Sequence, residues 1–243
     1  MTAPLLSVRQ VEKTFGALRA LGPVELDLRP GERLGLIGPN GSGKTTLINC
    51  IAGLLVPTAG AIVYAGEDVT RRPAHKRARM GIARSFQIPR PFTGMTVLEN
   101  LFVPLDYLGR GAGDARARAE GVLRSMRLDG RRDAPVESLS QLELRKLELA
   151  RALVTEPRLL IADEAMAGLA DSEIDEILSL LLDLNRTGVA VIMIEHIMHA
   201  VMRFSERVIC LETGRIIAEG TPQSIVEDPH VQRVYFGEQQ NRP

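Results

Sequence analysis

Residues 38–46 read Gly-Pro-Asn-Gly-Ser-Gly-Lys-Thr-Thr, and they stand between the apolar run Leu34 to Ile37 and a stretch of helical character, Thr45 to Ala52. Few short segments constrain a chain so tightly. Glycines let backbone amides turn inward around a polyanion, and the start of a helix adds partial positive charge. Lys44 reaches the terminal phosphates, and the Thr45 hydroxyl is suited to ligate Mg²⁺. A glycine-rich turn that binds nothing would need neither Lys44 nor the flanking strand and helix. The chain is therefore expected to hold a nucleoside triphosphate on Gly38, Pro39, Asn40, Gly41, Ser42, Gly43, Lys44, Thr45 and Thr46.

Holding phosphate is not hydrolysis. A second apolar run, Leu159 to Ala162, ends in Asp163-Glu164 and supplies an acid to hold Mg²⁺, Asp163, and another to orient or deprotonate water, Glu164. Alone, an acidic pair at a strand end is a solvated terminus; its weight comes from the loop upstream. Apolar alternation predicts strands over Leu5–Val11 and Val24–Leu28, with a short strand from Ala61 to Tyr64. From Pro89 to Leu153 the spacing is helical, with a glycine joint at Gly109 to Gly113. Then come a helix over Ser172–Asn185, a strand over Val189–Ile194, a hairpin from Arg207 to Glu219 turned at Thr213-Gly214, and a helix capped by Thr221-Pro222. Strand and helix alternation predicts an α/β core.

Thirty basic residues balance thirty acidic ones, so no bulk field holds the chain on nucleic acid, which is not expected as a partner. The basic stretch Arg71 to Arg79 carries no interleaved aromatics and reads as a solvated helix face. Cys50 and Cys210 stand far apart in apolar surroundings, as buried free thiols of a reducing, cytosolic setting do. The N-terminus lacks signal-peptide features, and no run approaches the roughly 18 apolar residues of a membrane span. Membrane attachment is expected only through partners. His75, His199 and His230 have no companions at metal-ligand spacing, and Met193, Met198 and Met202 are expected in the core.

In this order the elements resemble the ATP-binding cassette of ABC transporters across nearly the whole chain. The resemblance implies one nucleotide-binding domain over 1–243: a P-loop NTPase with a RecA-like core, an N-terminal antiparallel β subdomain, and an inserted helical subdomain over about 89–155. Phe15 resembles the aromatic residue that stacks on adenine. Gln87 resembles the glutamine that contacts Mg²⁺ and the attacking water, and His196 the switch histidine that senses the γ-phosphate. Taken singly, a core phenylalanine, a polar strand end and a surface imidazole are the plainer readings. Phe-Gly-Ala-Leu-Arg-Ala-Leu at 15–21, Gly-Ile-Ala-Arg-Ser-Phe-Gln at 81–87, Met-Thr-Val-Leu-Glu-Asn at 95–100 and Ile-Glu-His at 194–196 resemble the branched-chain amino acid uptake group. Its members are similar across amino acid, amide and urea substrates.

The resemblance implies ATP and Mg²⁺ as ligands, ATP hydrolysis driving uptake, and a place on the cytoplasmic face of the membrane. Implied partners are permease subunits, seated on a groove near Ile88 to Asn100, and indirectly an extracytoplasmic solute-binding protein. The family's signature segment appears as Leu139-Ser140-Gln141-Leu142-Glu143-Leu144-Arg145, where Ser140 matches, Leu142 replaces glycine and Glu143 replaces glutamine. Leucine blocks close phosphate approach, and glutamate brings negative charge to it. Ser140 and Glu143 still read as a capping box that starts a helix. A second, dissimilar ATPase subunit with an intact signature is therefore expected. Ala165, Ala170 and Ile197 replace the family's proline, polar loop residue and aspartate. Two other classes stay open: an ATP-binding regulatory clamp with little hydrolysis, and a non-transport cassette ATPase, although the long coiled-coil insertions of the latter are missing.

Overall fold

The computed structural model describes residues 3–85, 89–109 and 113–236. The chain opens with β1 (Leu6–Phe15) and β2 (Leu18–Leu28), antiparallel from Leu6 opposite Leu28 to Phe15 opposite Leu18. Both strands outrun the expected Leu5–Val11 and Val24–Leu28. The pairing shifts register after Val8, Val11 and Lys13, and Gln10 takes φ 47°. Each bulge resets the inward and outward alternation, so the sequence loses its period while the ladder continues.

Next come β3 (Arg33–Ile37), α1 (Lys44–Ala52), β4 (Ala59–Tyr64), the two-residue β5 (Glu67–Asp68), α2 (Ala74–Arg79) and β6 (Ile82–Ser85). The helical segment holds α3 (Val97–Tyr107), α4 (Ala115–Ser125) and α5 (Gln141–Leu153). Gly109 and Gly113, both at positive φ, stand between α3 and α4. The chain then runs β7 (Leu159–Asp163), α6 (Asp171–Arg186), β8 (Ala190–Ile194), α7 (Met198–Phe204), β9 (Arg207–Glu212), β10 (Arg215–Gly220), α8 (Pro222–Glu227) and α9 (Pro229–Phe236). Thr213 and Gly214 turn the last hairpin with φ 45° and 75°, the positive pair that a tight two-residue turn needs.

The fold is α/β, with a four-stranded antiparallel sheet ordered β2-β1-β4-β5 and a six-stranded sheet ordered β10-β9-β3-β8-β7-β6. In the larger sheet all neighbours run parallel except β10. Its central strands are short apolar runs buried on both faces, as parallel strands covered by helices must be. Alternation sends Ile192 and Ile194 into a core shared with α1 and the antiparallel sheet, while Val191 and Met193 enter a core shared with α5 and α6. Cys50 and Cys210 are buried thiols.

The basic stretch departs from expectation at one residue. Arg77 is 1% exposed and faces inward. Its guanidinium donates to the carbonyls of Cys50 and Ile51 at 2.7 Å each, Arg72 at 2.8 Å and Thr70 at 3.1 Å. The first two are carbonyls at the C-terminal end of α1, where positive charge also meets the negative end of the helix dipole. Burial pulls its pKa down to about 10, so it stays charged at neutral pH. Arg77→Met would leave four carbonyls without this donor, and is expected to lower unfolding free energy by roughly 3 kcal/mol in urea denaturation. Neighbouring Lys76→Met, on the exposed side, should change it by less than about 0.5 kcal/mol.

Candidate active site

The register of the parallel sheet builds the site. Leu36 pairs with Ile194 and Ile194 with Asp163, so β3, β8 and β7 end level with one another. Loops leaving those ends bring together Lys44, Asp163, Glu164, Glu195 and His196, at the place where open α/β sheets bind ligands.

After β3 the chain turns at Gly38, φ 147°, where an added Cβ would lie 2.2 Å from the Leu211 carbonyl oxygen. Gly43, φ 104°, ends the loop and starts α1 with no side-chain cap, leaving the first helical amides for a ligand. A Cβ there would come 2.8 Å from the Ala20 carbonyl of β2, so the antiparallel sheet closes on the loop. Asn40 and Thr45 are exposed, Pro39 and Thr46 half-buried, and Ser42 buried. The Lys44 ammonium is folded back on the loop, donating to Gly38 O at 2.6 Å and Pro39 O at 2.9 Å. Burial lowers its pKa, with Glu164 and Asp163 pulling the other way. These carbonyls hold the ammonium where a phosphate would take it.

Asp163 ends β7, and its Oδ2 accepts from Arg84 Nη2 at 2.6 Å; the two side chains are 10% and 11% exposed. Glu164 takes φ 49°, a left-handed conformation that costs a non-glycine residue on the order of 1 kcal/mol. Its amide donates to Ile194 O at 2.9 Å, and its carboxylate lies 3.5 Å from His196 Nε2. His196 is exposed, with 45% of its side chain accessible. Phe15 ends β1 and is 46% exposed, with the Lys13 ammonium 5.1 Å from its ring centroid, so it is no core residue. Gln87 lies outside the described residues.

Ser140 caps α5 as expected: its hydroxyl accepts from the Glu143 amide at 3.2 Å, and Glu143 accepts from the Ser140 amide at 2.8 Å. The expected negative charge is offset, because Glu143 also lies 3.2 Å from Arg131 Nε. Leu142 is half-buried against the helical core. The same helix is latched to the loop after Glu164: Arg145 donates to Ala167 O at 2.8 Å, and the Gln141 amide sits where a Cβ on Gly168 would be 2.8 Å away.

The sequence reading gave no role to Arg84, Gln141, Arg145, Glu195 or Tyr235, although all but Tyr235 lie within the segments it quoted. Glu195 is fully buried; its Oε1 accepts from the Met166 amide at 3.1 Å, and its Oε2 has no hydrogen-bond partner among the described residues. Tyr235, on α9, reaches the Gly38 backbone, and burial pushes its hydroxyl up to about 12.

Among the described residues no group of three or more His, Cys, Asp or Glu side chains could hold an ion alone. Mg²⁺ takes one or two carboxylates and completes its shell with water and substrate phosphates. The hard oxygens of Thr45 and Asp163 fit such a role.

The profile of ABC transporters matches residues 21–167. The chain belongs to the ABC transporter family. The profile of branched-chain amino acid ATP-binding cassette transporters matches residues 215–240 of the cassette. The cassette is 37% identical to the high-affinity branched-chain amino acid transport ATP-binding protein LivG of Escherichia coli K12, covering 98% of this chain and all of LivG. It is 35% identical to the lipopolysaccharide export system ATP-binding protein LptB of Acidithiobacillus ferridurans, over 97% of this chain and 98% of LptB. A solved ATP-binding cassette of an ABC transporter in its ADP conformation superposes with a TM-score of 0.89 at 32% identity, covering 97% of this chain and 100% of that one. This is an ATPase family, and its cassettes bind nucleotide.

Burial pushes the Glu195 carboxyl up to about 7, helped by Glu164 and Asp163 and opposed by the Met166 amide and Arg145. The unfolded carboxyl titrates near 4.3, so between about 4.3 and 7 the unfolded chain releases a proton that the folded cassette keeps. Stability falls as pH rises through that window, by roughly 3 kcal/mol in total. Glu195→Gln is expected to flatten the fall and to be the more stable form at pH 8, as read by urea denaturation at pH 5 and pH 8. An unchanged slope would place the proton elsewhere.

Proposed function

We propose that the cassette hydrolyses Mg·ATP to drive solute uptake, most fittingly of branched-chain amino acids or a related amino acid, amide or urea. The observation that carries this reading is the convergence of the Lys44 loop, Asp163, Glu164 and His196 on one sheet edge. The match at residues 215–240 and the likeness to LivG support the substrate class. The likeness to LptB favours a second reading, a motor for lipid export.

In this reading the loop amides and α1 N-terminus hold the phosphates, and Lys44 leaves the Gly38 and Pro39 carbonyls for the terminal ones. Phe15 stacks on the adenine. Thr45, Asp163 and Gln87 would hold Mg²⁺, which neutralises charge developing on the transferred phosphoryl group. Glu164 takes the proton of the attacking water. His196, 3.5 Å from that carboxylate, keeps it aimed and meets the γ-phosphate. The helices of about 89–155 act as a subdomain within a single cassette over 1–243.

A groove of about 350 Å³ includes Leu54, Ala74, His75, Ala78, Pro104 and Tyr107 in its lining, and Leu54 and Tyr107 are more than half exposed. Among the described residues no helix is long and apolar enough to cross a membrane. We assign the groove to a cytoplasmic helix of a permease subunit, which holds the cassette at the inner face of the membrane and links it indirectly to a solute-binding protein. Its lining comes from α1, α2, β6, α3 and α5 and differs from the expected 88–100 stretch.

The partner ATPase is proposed to be dissimilar, and with Glu143 offset by Arg131 this rests on Leu142. Leu142→Gly is expected to raise turnover of the chain alone several-fold, whereas Glu143→Gln alone should change it little; no gain from Leu142→Gly would favour a homodimer. Turnover with the membrane subunits encoded beside it should fall at least about 100-fold in Glu164→Gln while ATP binding persists. Binding without turnover in the wild type would instead show a regulatory clamp. Leu54→Asp should abolish co-purification of the membrane subunits without loss of ATP binding; if the wild-type membrane subunits are lipid exporters, the second reading stands.

A further inference from the structure

Arg84 touches two places that the proposed function treats separately. On β6, opposite Ile161 of β7, it extends its guanidinium to Asp163 Oδ2 and to Asn49 Oδ1 of α1, each at 2.6 Å. Arg84 also lines the groove beside Leu54, Ala78 and Ala152. The ion pair is nearly dry, so neither charge is screened by water. A buried arginine in this position is a fixed counter-charge for Asp163 while no cation is present.

A divalent cation on Asp163 changes that balance. The carboxylate then faces two charges on the metal, and a guanidinium held 2.6 Å from it becomes a like-charge neighbour of the ion. Arg84 must loosen its hold on Asp163, and because its body forms part of the groove wall, the groove changes with it. Glu148, paired with Arg151 at 3.0 Å, lines the same groove. We propose that Arg84 is a positioning residue that couples the metal-holding carboxylate to the groove: it clamps Asp163, yields it when the metal–nucleotide arrives, and passes that change to the groove wall. Coupling of this kind is reciprocal, so a partner seated in the groove alters metal–nucleotide affinity by the same factor. The proposal rests on the docking reading only for what the groove receives.

The chain alone tests it. Cys50 and Cys210 are fully buried, so an environment-sensitive dye can be placed on His75→Cys, an exposed position in the groove lining. In a Glu164→Gln background, a non-hydrolysable ATP analogue with Mg²⁺ is expected to shift the dye emission. The analogue with EDTA should give a shift at least about fivefold smaller. In Arg84→Gln the Mg²⁺-dependent shift should shrink at least about fivefold while a fluorescent ATP still saturates the site. Arg84→Lys keeps the charge but is too short to bridge Asn49 and Asp163; it should at least halve the shift, and it decides the matter if the glutamine variant does not fold. No shift in the parent protein, an equal shift without Mg²⁺, or an undiminished shift in the Arg84 variants would each overturn the proposal. Failure of the docking reading shows elsewhere, as membrane subunits that still co-purify with Leu54→Asp.

Discussion

Everything at the site depends on the level register of three parallel strands. Leu36, Ile194 and Asp163 sit side by side across β3, β8 and β7, and hydrogen bonding between strands leaves no slack of even one residue, because a slip would exchange the side chains that the strands send into the two cores. The phosphate loop, the acidic strand end and the histidine loop are therefore aligned by the sheet. The Glu164 amide adds a further bond to Ile194 O, carrying the register one residue beyond the strand. Gly38 fits because Leu211 of β9 leaves no room for a side chain.

That alignment gathers three carboxylates, Asp163, Glu164 and Glu195, and the structure manages their repulsion by two means. Cations are interleaved: Lys44 lies near Glu164 and Asp163, Arg84 pairs with Asp163, and Arg145 lies near Glu164 and Glu195. Glu195, with no hydrogen-bond partner for one oxygen among the described residues, keeps a proton up to about pH 7. Lys44 thus rests on loop carbonyls and Asp163 on Arg84, in an arrangement that metal and polyphosphate would exchange for their own contacts. Arg145 and Gln141 tie α5 to the loop after Glu164, so the helical segment feels what happens at the sheet edge.

What the sequence makes legible here is local. The strand, loop and helix around Lys44, the acids closing β7, the capping box at Ser140 and the hairpin at Thr213-Gly214 all follow from chemistry within a few residues. What it hides depends on neighbours far along the chain. Arg77 reads as one charge among many, until α1 presents the carbonyls that it caps. Arg84 gains meaning only when β6 lies beside β7, and Glu195 only when the loop after Glu164 folds over it. The length of β1 was hidden for another reason: its bulges break the very alternation by which a strand is recognised. For Glu143 the sequence showed the cap but not Arg131, which arrives from a turn before the helix and offsets the charge.

The most direct test is a crystal structure of the Glu164→Gln protein with Mg·ATP. The account requires the polyphosphate in the Gly38–Thr46 loop, the Lys44 ammonium moved from the Gly38 and Pro39 carbonyls to phosphate, and Asp163 facing the metal, with its hold on Arg84 loosened. Nucleotide bound elsewhere, or bound in the loop with Lys44 and Asp163 still on their present partners, would contradict it.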